Sequence, residues 1–137
     1  MRTFVFIILI SITSTISGQS LYSPDWIFLG NSKNVGEIYC KAQYHARTNE
    51  GFKEWVKFKK KTQILKGVLY KNPELNYLYI FDCENKRIKL CQFVMYNDKN
   101  EVVGSIVITD YEQTWEDAVP ESVAELMLKK VCPIFNQ

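Results

Sequence analysis

The chain has a single histidine, His45, and few of the other elements from which a catalytic or metal site is assembled. It contains no GxSxG elbow, no HExxH pair, no glycine-rich phosphate loop and no CxxC, so the familiar arrangements of nucleophile, base and metal ligand are missing. His45 reads as a solvated residue on the polar side of a strand. Asp82 and Glu84 flank Cys83 on one strand face and read as partners of nearby lysines, not as an acid and base pair. No catalytic residue, metal or cofactor is expected. Large net charge is also lacking: 17 basic residues face 15 acids, and leaving out Arg2 the balance is 16 against 15. Nucleic acid is therefore not an expected partner. From Leu21 onward no stretch approaches the roughly 20 apolar residues that cross a bilayer.

What stands at the start is Arg2 followed by the uncharged run "TFVFIILISITSTIS", too short and too rich in hydroxyls for a comfortable membrane span. It reads as a secretory signal peptide over residues 1–18, with cleavage falling between 17 and 20 and an uncleaved signal anchor as the alternative. Residues 19–137 are then one exported domain. Export favours disulfides over metal or redox use of cysteine, and the four cysteines, at 40, 83, 91 and 132, allow three pairings.

Alternation dominates the middle of the chain. In "NVGEIYCKAQYHARTNEG", Ile38, Cys40, Ala42, Tyr44 and Ala46 share one side, and "TNEG" reverses the chain into "FKEWVKFKKKTQ", where Val56 and Phe58 oppose Trp55, Lys57, Lys59 and Lys61. After the turn "NPEL", Tyr77, Tyr79, Phe81 and Cys83 share one parity. "ENKR" and "YNDKNE" break the following strands. An antiparallel meander over residues 38 to 110 results. The period then changes: Val123, Ala124, Met127, Leu128 and Val131 recur at helical spacing, with Pro120, Glu121 and Glu125 near the start and Pro133 as the expected stop. Cys132 emerges from the helix face that packs on the sheet. A Cys83–Cys132 bridge is thus feasible; Cys40 and Cys91 would pair by default or remain buried thiols.

Charge is segregated, with nine Lys or Arg and two acids over residues 41–71, and eight acids with Lys99 over residues 98–125. The segment "KEWVKFKKKTQILK", residues 53–66, carries six lysines. On a straight strand Trp55, Lys57, Lys59 and Lys61 project from one face about 7 Å apart. Such a row suits heparin-like polyanions or acidic glycoprotein segments, and equally suits an edge strand guarded by lysine. Lys86, Arg87 and Lys89 form a second, smaller patch. Eleven Tyr and Trp side chains exceed what one small core needs, which fits a homodimer interface or packing beneath the helix.

The ordered set "WIFLG", "FDCENKR", "YNDKNEVVGS" and "TWEDAVPESVAELMLKKVC", spanning roughly residues 26–132, resembles the surface-adhesin protein E family of Gram-negative bacteria. The resemblance implies an α+β fold, a single curved antiparallel sheet of about six strands with one C-terminal helix on its concave face. It implies that Cys83 and Cys132 tether the helix, with Cys40 and Cys91 as additions to the family pattern. Family members are exported and can dimerise through the sheet, and the best-known binds laminin, vitronectin and plasminogen. The expected function is therefore an exported surface or periplasmic protein, attaching to matrix or serum glycoproteins, without enzymatic activity. A periplasmic envelope protein of the same fold with no adhesive role is the alternative.

Overall fold

The computed structural model describes residues 25–135 and, within them, every side chain except those of residues 43–45. The expected signal peptide, residues 1–18, and the side chain of His45 lie outside what is described. In chain order the strands are β1 Trp26–Ser32, β2 Gly36–Thr48, β3 Gly51–Lys59, β4 Thr62–Leu65, β5 Val68–Lys71, β6 Glu74–Asp82, β7 Arg87–Tyr96, β8 Val102–Val107 and β9 Trp115–Asp117. The helix, α1, runs Val123–Phe135. Seven strands form one antiparallel sheet in the order β1-β2-β3-β6-β7-β8, with β9 pairing β7, and β4 and β5 form a separate ribbon. The expected α+β architecture holds, with more strands than the six anticipated.

The extra strands are short or hide their period. β9 has three residues and the ribbon strands four each. The ribbon turns on Lys66 and Gly67, whose φ values of 50° and 79° suit a two-residue hairpin loop; the glycine adopts that conformation without strain. Its Leu65 then reaches the sheet over Gly104 of β8, where a Cβ would lie only 2.7 Å from the leucine methyl.

One sheet face is the core. Ile38, Cys40, Val56, Phe58, Leu75, Phe81, Ile88 and Met95 are buried there against Ala124, Met127, Leu128, Val131 and Phe135 of α1. The helix starts two residues later than Pro120 and Glu121 suggest, because Ser122 caps it: its Oγ accepts from the Glu125 N–H at 3.2 Å, and its carbonyl accepts the first helical bond from Leu126. It also continues through Pro133. A proline here removes only the bond to the Lys129 carbonyl in the final turn, while Phe135 gains a site against Phe52, ring centroids 5.7 Å apart.

Cys83 at the end of β6 and Cys132 on α1 form a disulfide, Cα–Cα 5.9 Å, across 49 residues. Cys40 and Cys91 do not pair; both are free and buried. Cys40 lies on β2 and Cys91 on β7, with β3 and β6 between them. Three strand spacings separate them by about 14 Å, beyond the roughly 7 Å that a disulfide spans.

The core face holds one carboxylate. β2 carries a bulge between Cys40, paired with Val56, and His45, paired with Glu54. Glu54 is fully buried, and neither carboxylate oxygen has a hydrogen-bond partner. Burial pushes its carboxyl up to about 8; the Lys41 and Trp55 amides, near it but not placed well enough to make full hydrogen bonds, and the Lys41 charge oppose this only in part.

Replacing the bridge in a Cys83→Ala/Cys132→Ala variant should lower unfolding free energy in urea by about 4 kcal/mol, the chain-entropy value for a loop of this length. Equal stability of the variant and the parent would contradict a tether that constrains the unfolded chain. Glu54 gives a second prediction. Below its ordinary 4.5 both folded and unfolded chains hold the proton; between 4.5 and about 8 only the folded chain does, so stability falls as pH rises through that window. Urea titrations should show a slope of up to about 1.4 kcal/mol per pH unit that a Glu54→Gln variant loses.

A candidate binding face on the sheet

Among the described residues α1 and the β4–β5 ribbon pack on one side of the sheet, and the other side is finished by side chains. Outward positions follow from register: residues paired across antiparallel strands share a face. Phe28 pairs with Tyr39, Tyr39 with Lys57, Lys57 with Asn76, and Asn76 with Val94. A parallel row runs Glu37, Lys59, Glu74, Tyr96. Trp26 pairs with Lys41, and Trp55 with Leu78. The face therefore mixes flat rings with ammonium groups.

These groups are mutually engaged. The Lys57 ammonium lies 4.0 Å from the Trp26 ring centroid, and that of Lys41 lies 5.3 Å away. Lys59 sits 5.3 Å from the Tyr39 ring. Glu74 approaches Lys57 at 3.7 Å and Lys59 at 3.8 Å. Partial burial lowers the Lys57 pKa, with Glu74 opposing the shift. Stacking of an ammonium on an indole strengthens as water is excluded, which is the position of Lys57 here.

The expected row is thus altered. β3 is not an edge strand: β2 and β6 flank it. Trp55, Lys57 and Lys59 do share the outer face, but β3 ends at Lys59 and Lys61 lies beyond it. Instead Lys59, Lys60 and Lys61 line a cleft of about 510 Å³ together with Glu37, Asn72 and Glu74.

The second patch is not a patch. Arg87 donates through Nε to Asp82 at 2.9 Å and stacks 4.2 Å from the Trp115 ring. Lys89 is buried, ion-paired with Glu50 and 4.6 Å from the same ring. Lys86 turns elsewhere, lining a groove with the disulfide, Glu125 and Lys129. Asp82 also accepts from Asn85; although burial favours its neutral form, these bonds and the arginine hold its carboxyl below the usual range. Asp82 and Glu84 therefore do not act together, and Glu84 is exposed in the turn.

Sequence reasoning missed Trp26 and Trp115, whose roles depend on strands β1 and β9. Their signal was an isolated tryptophan in a segment too short or too irregular for alternation. At the turn end of the sheet, Arg47, Glu50, Asp82, Arg87 and Trp115 line a larger cleft of about 730 Å³, with charges of both signs. Among the described residues no group of three or more His, Cys, Asp or Glu is placed to hold a metal ion. Nor is any described helix long and apolar enough to cross a membrane.

Trp115 is the test of the stacking. Trp115→Ala should destabilise the fold by about 2 kcal/mol in urea, because two cations lose their ring and one of them is otherwise buried. A change below about 0.5 kcal/mol, the range of ordinary surface substitutions, would show the contacts to be incidental.

In comparison with known families, the family model described as surface-adhesin protein E matches residues 26–133. No curated protein and no solved structure matches the chain.

Proposed function

The chain belongs to the surface-adhesin protein E family, and from that membership we propose that it is an exported, adhesin-like protein that attaches to matrix or serum glycoproteins of a host. Export rests on the residue 1–18 signal, which leaves residues 19–137 as the working domain at the cell surface. Laminin, vitronectin and plasminogen are the partner class. The protein acts by binding and carries out no reaction.

The family match over nearly all the described residues carries this reading. The ring-and-ammonium face supports it, since aromatic side chains supply contact area and lysines supply salt-sensitive attraction to acidic glycoprotein segments. Lys59 and Lys61 are exposed on the cleft rim and carry the polyanion contact. Lys57 positions Trp26 and holds Glu74, so it serves the face from within. A homodimer joined through the sheet presents two such faces.

A second reading, an envelope protein of the same fold without adhesive role, is favoured by one observation: Glu74 and the rings already engage Lys57 and Lys59 inside the chain. Protease treatment of intact cells separates the two, because only a surface protein is cleaved without lysis.

The direct test is solid-phase binding of the exported chain to laminin, vitronectin, plasminogen and heparin over a salt series. Saturable binding is expected, weakening as salt rises. A Lys59→Gln/Lys61→Gln variant should lose most of the salt-sensitive part while its stability changes by less than about 1 kcal/mol, the value of an exposed ion pair. Absence of saturable binding at low salt ends the reading; unchanged binding by the variant moves the site off these lysines.

A further inference from the structure

The β4–β5 ribbon has two sides. Leu65 pairs with Val68 and Gln63 with Tyr70 on one of them, while Ile64 pairs with Leu69 and Thr62 with Lys71 on the other. Leu65 and Tyr70 pack against the core, which holds in place a hairpin that would be marginal alone. The opposite side is left to solvent: Ile64 is 63% and Leu69 56% exposed, and Val68, just past the turn, is 51% exposed. On β8, Ile106 lies two residues along from the Gly104 that receives Leu65, and it is 59% exposed. Aliphatic side chains gathered on one short hairpin are not the scattered singles of an ordinary surface.

The charge around them is of one sign. Residues 60–73 carry Lys60, Lys61, Lys66 and Lys71 and no acid. Lys60 donates to Gln63, but among the described residues Lys61, Lys66 and Lys71 enter no ion pair, and all three are exposed. Lys66 stands at the tip of the ribbon and Lys71 at its base.

From this arrangement we infer that the ribbon docks on the surface of a bilayer that contains anionic phospholipid. Ile64, Val68 and Leu69 enter the boundary between headgroups and acyl chains, and Lys61, Lys66 and Lys71 meet the phosphates. Lysine stems reach back from apolar surroundings to a charged layer, so both kinds of side chain are satisfied in one place. A polyanion such as heparin would meet the lysines and leave the aliphatic groups in water. An apolar groove on a protein would cover the aliphatic groups and strip water from the ammonium groups without a counter-charge. A second copy applied to the same side would set lysines against lysines. The four-residue strands are about 13 Å long at roughly 3.3 Å per residue, enough for the tip to enter the about 5–10 Å at which interfacial segments lie. This contact goes beyond the glycoprotein reading and does not rest on it.

The experiment is co-sedimentation of the exported chain with vesicles of phosphatidylcholine, alone and with increasing phosphatidylglycerol, over a salt series. Binding should saturate on the mixed vesicles, be nearly absent on the neutral ones, and weaken as salt rises. Lys66→Gln/Lys71→Gln should weaken it about 25-fold, about fivefold per lysine, each equivalent to about 1 kcal/mol. Ile64→Ser/Leu69→Ser should weaken it at least about tenfold while the urea midpoint stays that of the parent, because both side chains already stand in solvent. In a Leu69→Trp variant, lipid with brominated acyl chains should quench indole emission beyond any loss in the parent. No binding to phosphatidylglycerol vesicles overturns the proposal. Parent-like binding by Ile64→Ser/Leu69→Ser also overturns it, since attraction would then be by charge without insertion. A parent that sediments as a dimer and an Ile64→Ser/Leu69→Ser variant that sediments as a monomer would overturn it in favour of a second copy on this side of the ribbon.

Discussion

The structure depends on an asymmetry of cover: seven strands have two faces, and one thirteen-residue helix can bury only one of them. The covered face is conventional, an apolar sheet surface sealed by Ala124, Met127, Leu128, Val131 and Phe135. The disulfide at Cys132 pins the far end of that helix to the end of β6, so the seal does not fray where Pro133 weakens the last turn. Among the described residues the other face has no second layer. Its solution is amphipathic: indoles and phenols lie along the sheet, and lysine stems and ammonium groups lie over them.

Much of the covered side was legible because it obeys local periods. The pattern Val56 and Phe58 against Trp55, Lys57 and Lys59 reports the two faces of β3 correctly, and the 3.6-residue recurrence in 123–131 reports the helix. The bridge followed from those two faces and from the family resemblance. The limits came where a long-range partner decides. Strand order is not local, so β3 read equally as an edge, and the Cys40–Cys91 pairing looked open until β3 and β6 stood between them. The bulge in β2 slips its register by three residues, so the alternation counted from Ile38 cannot be carried through to Ala46. Lys57 and Lys59 looked unopposed because their counter-ion, Glu74, lies across the sheet on β6.

Those lysines also show why a basic run in a sequence overstates a basic surface. Of the six lysines in residues 53–66, Lys57 and Lys59 are tied to Glu74, and Lys60 donates to Gln63 Oε1 at 2.7 Å. Lys89 is drawn further in still, and Arg87, though partly exposed, stacks on the same Trp115 ring. Charge that is stacked or paired contributes little long-range attraction. It does hold rings in place, and a rigid ring loses less entropy when a ligand docks. The paired lysines are thus better suited to short-range, shape-dependent contact than to electrostatic steering, with exposed Lys61 on the cleft rim as the more conventionally basic part.

The same economy of cover bears on the cysteines. A chain with four thiols in an oxidising compartment risks mispairing, because exchange proceeds through a thiolate that attacks an existing bridge. Here the two spare thiols are placed where that ion is hardest to form. Burial, with the Glu54 charge adding to it, pushes the Cys40 thiol up to about 12. Burial likewise raises Cys91, the nearby lysines offsetting only part of the effect, and its Sγ reaches only the Lys89 carbonyl at 3.8 Å and Gln113 Oε1 at 3.7 Å. Neither thiol reaches the bridge without opening the sheet, since each lies within the packed strands while Cys83 and Cys132 sit at the periphery. Correct pairing is therefore protected by the folded core itself: once β2 and β7 are in the sheet, the only cysteines left near enough to join are the two that tether the helix.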